Sequence, residues 1–241
     1  MFKRAVLMLS FLFIVSMASY SFAYQVRPVS NGGTIEGTVL FTGSHVPKDR
    51  MIHPTTNQNY CGEMMPMLTY LIKSGKVQNV VVFIKNINSG APVPRTPAKV
   101  DNYKCAFVPH VGIGFKGDSL TFKNSDPLFH NIHTYLNSST YYNVGLPSKG
   151  MQVTKQLTEP GLIELTCDAH PWMDGWLYVF DNPYAAVTNA KGQFVIRNVP
   201  PGVYTIEAWH EKLGRVDLEN IKVTGGATTS VKFTYKKAKG R

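Results

Sequence analysis

The sequence predicts an all-β protein of two small sandwiches. Short runs of β-branched and aromatic residues recur along it, Gly, Pro, Asn and Asp break them at regular intervals, and no long helical periodicity follows residue 23. Thr34–Phe41 reads as one strand and Val80–Ile84 as a second, more uniformly apolar one. Ala91–Pro97 carries three prolines and reads as a connector, because proline cannot donate to a central ladder. Leu120–Lys123 alternates apolar and polar residues, and Asn124-Ser125-Asp126-Pro127 turns the chain after it. Gly161–Cys167 alternates again. A period of two puts Ile163, Leu165 and Cys167 on one face, which should be the inner one because Glu164 and Thr166 hold the other.

The chain divides into four parts. Residues 1–23 read as a signal peptide: Lys3 and Arg4, an apolar run over Ala5–Met17, then the small-x-small pattern Ser21-Phe22-Ala23. The apolar run is short of the roughly 20 residues that span a bilayer. A periplasmic or secreted location is therefore expected. Residues 24–100 form an N-terminal β segment and the proline-rich connector, with strands that could join either sandwich. Residues 101–182 and 183–241 form the two sandwiches. The second begins near Tyr184, with turn signals at Asn189-Ala190-Lys191-Gly192 and Val199-Pro200-Pro201-Gly202.

The net charge is +10, or +8 without the leader's Lys3 and Arg4. That balance suits an acidic protein partner or an anionic envelope surface, and export argues against nucleic acid. The basic end, Lys236-Lys237-Ala238-Lys239-Gly240-Arg241, reads as a solvated terminus. Three cysteines in an exported chain imply one disulfide and one thiol with a separate task. Gly112-Ile113-Gly114-Phe115-Lys116-Gly117 fits a dinucleotide-binding pattern, but strand alternation follows it where a helix is required, so it reads as a loop. No acid–base pair or activated nucleophile is apparent, which argues against an enzyme.

The chemistry concentrates in Cys167-Asp168-Ala169-His170-Pro171-Trp172-Met173, where a thiolate, an imidazole and a thioether follow a buried strand. His130, in Phe129-His130-Asn131-Ile132-His133, supplies a second imidazole. Two histidines and a cysteine with a weak axial methionine are the ligand set of blue-copper electron-transfer sites. Taken singly, Cys167 reads as an inert buried thiol, His170 as a surface histidine and Met173 as core filler. The set of four together points to copper. Cys61 and Cys105 are then left as the natural disulfide pair. Met64, Met65 and Met67 read as packing residues that could also bind Cu(I) transiently. His45, His53, His110 and His210 have no partner spacing; of these, His210 beside Trp209 is the first candidate for an unforeseen role.

The 167–175 segment resembles the copper loop of amicyanin, with the same C-x2-H-x2-M spacing, and residues 103–181 resemble the cupredoxins, the family that also holds plastocyanin. The resemblance implies a Greek-key sandwich with one type 1 copper on His130, Cys167, His170 and axial Met173. Asn131 would tie the two ligand loops together. His133 lies three positions on along an extended segment, points to the opposite face, and is not counted as a ligand. Phe129 departs from the family, where proline commonly precedes the first histidine. The resemblance also implies that His170 lies at the surface, ringed by Pro171 and Trp172, and that redox partners such as a cytochrome or dehydrogenase dock there. The last fifty or so residues resemble the carboxypeptidase regulatory-like, or transthyretin-like, module. The function implied is a periplasmic one-electron carrier; the alternative is a copper- or envelope-binding protein, with carbohydrate contact through the C-terminal module and no carrier duty. Both faces of Trp176–Phe180 are apolar, so the junction between sandwiches should be packed rather than flexible.

Overall fold

A computed structural model describes residues 23–237; nearly all of the expected leader, and the last four residues of the basic end, lie outside them. The chain is built almost wholly of strands, and among the described residues the only helix is a single turn, Gln58–Cys61. No helix there is long and apolar enough to cross a membrane.

One sandwich is formed within residues 98–180. Its first sheet has the order Ala106–Val108, Ala98–Tyr103, Ser119–Asn124, Gln152–Gln156. Its second has the order Val111–Phe115, Asp174–Phe180, Gly161–Thr166, His130–Leu136, Ser139–Leu146. Alternation governs the core: Leu120 and Phe122 point inward from one sheet, Ile163, Leu165, Leu177 and Val179 from the other, and all are buried in one cluster with Ile132 and Leu146. The segment expected as a loop at Gly112–Gly117 is instead the strand Val111–Phe115 with the turn that follows it. Its glycines answer to packing. A Cβ on Gly114 would lie 2.6 Å from Leu157, and Gly117 turns the chain at φ +88°.

The other sandwich takes strands from both ends of the chain. Gly33–Phe41 lies between Gln193–Val199, antiparallel, and Thr228–Tyr235, parallel along eight residues. Val81–Ile84 lies between Ala185–Val187 and Gly202–His210, with Gly214–Val223 outside. The N-terminal strands thus join the second sandwich, because Gly33–Phe41 pairs along most of its length with two C-terminal strands and only at Leu40 with Lys76. The sandwich that carries Cys167 is inserted between two halves of its neighbour.

Val81–Ile84 is buried on both faces, which explains its uniformly apolar sequence. Val82 and Ile84 enter the core of their own sandwich, while Val81 and Phe83 face the inserted one. There they meet the outer face of Asp174–Phe180: Phe83 packs on Tyr178 at 5.1 Å between ring centroids, and Trp176 on Trp209 at 5.6 Å. Each such ring contributes about 1.5–3 kcal/mol of burial, so the junction is a third apolar core.

Candidate metal centre

The strand Gly161–Thr166 delivers Cys167 to the core, as its alternation requires, and the side chain is buried. The chain then makes two successive tight turns, with His170 N–H donating to Cys167 O at 3.2 Å and Met173 N–H to His170 O at 2.9 Å. Turns with i+3 to i bonds bring side chains three apart onto one side, so the C-x2-H-x2-M spacing gathers thiol, imidazole and thioether. His130 enters from the start of the strand His130–Leu136.

The three donors converge. Cys167 Sγ lies 3.6 Å from His170 Nδ1 and 3.9 Å from His130 Nδ1, and the two imidazole rings sit 4.5 Å apart. All three side chains are buried, with their ligand atoms within 4.8 Å of one another. Met173 is buried in the same apolar cluster as Cys167. A second buried grouping, Cys105, Asp126 and His130, shares one imidazole with the first, but Cys105 is spent in a disulfide with Cys61.

The far side of each imidazole is held. His130 Nε2 donates to Asp126 Oδ2 at 3.0 Å, and His170 Nε2 to Asn57 Oδ1 at 3.1 Å. An acceptor at Nε2 holds one ring proton there and turns Nδ1 toward the sulfur, the usual way outer partners orient a metal-binding histidine. Asp126 is itself fully satisfied, accepting also from Tyr60 OH, Lys104 N–H and Cys105 N–H. Burial would raise its pKa, but these bonds, led by His130, hold it below the usual carboxylate range. Burial likewise pushes the Cys167 thiol up. Bonds from His130 and His170, then from the backbone at Asn131 and Ala169, outweigh it and bring the pKa down to about 6. The lowered pKa favours the thiolate, the form in which a cysteine binds a metal.

Asn131 clamps the two loops. Its Oδ1 accepts from Asp168 N–H at 2.7 Å, and its Nδ2 donates to Asp168 Oδ2 at 2.6 Å. His133 lies on the other face, stacked on Tyr135 and bonded to Asp168 and Thr140. Phe129, the departure from the family pattern, is exposed.

One expectation is corrected. His170 is not at the surface; it is 1% exposed. Residues 53–62 lie over it, pinned by Asn57 to His170, by Tyr60 to Asp126 and by the Cys61–Cys105 disulfide. Trp172 does stand beside His170, edge to face at 5.0 Å. Sequence reasoning missed Asn57 and gave Asp126 only a turn role. The spacing of Asp126, four residues before His130, was an available signal, whereas Asn57 lies too far along the chain to carry one.

The residues present fit copper by the chemistry of the donor set: two imidazoles with aligned lone pairs, one thiolate and one buried thioether. The fold and this constellation define a β-sandwich bearing a candidate metal centre, joined to a second β-sandwich. The family model for the carboxypeptidase regulatory-like domain matches residues 179–236, the C-terminal share of the second sandwich. Among curated proteins no sequence matches. Solved structures similar to part of the chain include three copper-related proteins. One is the Cu-containing nitrite reductase (NirK) from Thermus scotoductus SA-01, with 21% identity, 41% of this chain and 25% of that one covered, and a TM-score of 0.32. Another is the Cu(I) form of an amicyanin mutant, with 23% identity, 36% and 86% covered, and a TM-score of 0.31. A third is the purple cupredoxin from Nitrosopumilus maritimus, with 23% identity, 34% and 99% covered, and a TM-score of 0.30. The chain spans a quarter of the nitrite reductase's length.

Proposed function

We propose that this chain is an exported blue copper protein that carries single electrons, its copper held by His130, Cys167, His170 and Met173. The observation that carries the proposal is the convergence of two imidazole Nδ1 atoms on the Cys167 thiolate, each imidazole with its Nε2 proton already engaged. Copper, when bound, supplies the one-electron couple. The protein's part is to keep the donors where both oxidation states accept them. Asp126 and Asn57 fix the rings, Asn131 fixes the loop that carries Cys167, and Cys167 and Met173 are buried in the same apolar cluster as Leu165, Ile132 and Phe107. Redox protein partners, a cytochrome or a dehydrogenase, follow from that duty, and the positive net charge would steer an acidic one.

Loading with Cu(II) tests the reading. An intense blue colour from thiolate-to-copper charge transfer is expected, and Cys167→Ser should abolish it. A colourless complex, or equal colour in the variant, overturns the assignment.

A further inference from the structure

The segment that covers His170 carries a run of methionines that the proposed centre does not use. Met65–Pro66 pairs antiparallel with Met51–Ile52, and the Met67 amide donates to Arg50 O, which extends the ladder. Alternation places Met65 and Met67 on one face, both half-buried, with exposed Pro66 between them on the other. Both methionines, together with Pro66 and Leu68, line a cavity of about 260 Å³ whose lining also includes Met173 and Trp172. Two thioethers from the covering segment and one from the metal loop therefore border the same space. Two more methionines stand on the same hairpin outside it, Met51 51% and Met64 53% exposed.

The informative feature is that several methionines gather on one hairpin beside the cavity, since a soft thioether is also a metal ligand. The rest of the wall is largely apolar, with Phe107, Tyr103 and Ile52. Of its charged groups, Lys104 turns its ammonium onto the Tyr103 ring, His110 is committed to Glu211, and burial raises the pKa of Asp174 and favours its neutral form. Thioethers are neutral and soft. They select Cu(I) over Cu(II) and over zinc, no proton competes with the metal for them, and an oxidising compartment does not join them into disulfides.

We infer that Met65 and Met67 form a Cu(I) uptake site, served by Met64 and Met51 at its mouth, and that the ion passes across this cavity to Met173. Only the destination of the ion rests on the proposed copper centre. The transfer exchanges thioether ligands without any change of oxidation state, so no oxidant or reductant is needed.

The test uses the full-length chain with Cys167→Ala, which removes the blue centre, titrated with Cu(I) under ascorbate against the chelator bathocuproine disulfonate. One Cu(I) per chain should be retained, with sulfur neighbours and no imidazole in its X-ray absorption fine structure. Adding Met65→Leu and Met67→Leu, which conserve volume, should weaken binding by at least about 100-fold, the upper end of what losing even an indirect metal partner costs. Absence of Cu(I) binding in Cys167→Ala, an imidazole signature, or an affinity indifferent to the leucine pair overturns the uptake site. In the chain that keeps Cys167, the leucine pair should slow the growth of blue colour on Cu(I) loading followed by oxidation, with the final spectrum unchanged; equal rates overturn the transfer. If the wild-type chain never turns blue, the copper centre fails while the Cys167→Ala titration still decides the uptake site.

Discussion

Two buried clusters of this protein contain the same ingredients and do opposite things with them. At the metal loop, His130, His170 and Asp126 surround a thiolate. Where the sandwiches meet, His110, His210, Glu211 and Asp174 are buried together. In the first, every outward nitrogen is bonded and every inward one faces a common point. In the second, the groups are engaged one by one with no common point, and His210 Nε2 and Glu211 Oε2 have no hydrogen-bond partner among the described residues. His110 Nε2 is bonded to Glu211, and His210 Nδ1 accepts the amides of Lys212 and Leu213, which closes a turn. Burial of histidine and carboxylate together does not make a site; the direction in which unspent lone pairs point does.

The largest effect that could break this comparison is expected at Asp126. Asp126→Ala leaves four buried or half-buried donors without their acceptor. Unsatisfied groups cost about 1–3 kcal/mol each before relaxation, so a loss of about 3–5 kcal/mol in denaturant unfolding is expected. Copper affinity should fall by about 10–100-fold, because His130 loses its orientation. An unchanged affinity in a folded variant would reduce Asp126 to a turn residue.

Next comes the junction. Burial pushes the His210 imidazole down to about 4. Its folded pKa is below its unfolded one, so the unfolded chain binds the proton first. Stability from this group is complete above about pH 6.5 and is lost as pH falls toward 4, by on the order of 3 kcal/mol. The neighbouring pair brackets that window: burial opposes but Glu211 raises the His110 pKa, whose contribution fades as pH rises, and His110 helps lower that of Glu211, whose contribution fades as pH falls. Urea unfolding of wild type and His210→Asn across pH 4–7 measures this, and the variant should show the flatter acid limb. Parallel curves would remove His210 from the account.

The smallest effect is at Asn57. Asn57→Ala frees His170 Nε2 and opens the cover over it, at a cost of about 1 kcal/mol in stability and about a tenfold loss in copper affinity. Electron exchange with a small inorganic oxidant should quicken, since His170 becomes reachable. Stopped-flow mixing with ferricyanide checks it, and a rate unaffected by the change would show that electrons leave elsewhere.

Much of this was legible in the sequence. Three of the four candidate ligands lie within seven residues, where spacing alone sets which side chains meet, and alternation around Leu120, Leu165 and Leu177 separates inner from outer faces. The pairing of Cys61 with Cys105 was legible from the count of three cysteines and the expected export. What stayed hidden depends on distant pairing. Nothing near Gly33–Phe41 announces that its parallel neighbour is the last strand of the chain, and nothing near Asn57 announces His170. A side chain's hydrogen-bond partner across the fold leaves no periodicity behind it. The exposed second histidine inherited from the family resemblance failed for the same reason, since the cover comes from a segment the resemblance does not reach.

The parallel pairing of Gly33–Phe41 with Thr228–Tyr235 also sets an order of events. A chain made from its N-terminus has every strand of the inserted sandwich by Phe180, while the host sandwich waits for its final strand. Contacts distant in sequence are the slow ones to form. The framework of the candidate metal centre can therefore stand complete at a stage when the sandwich that flanks it is still two unjoined halves.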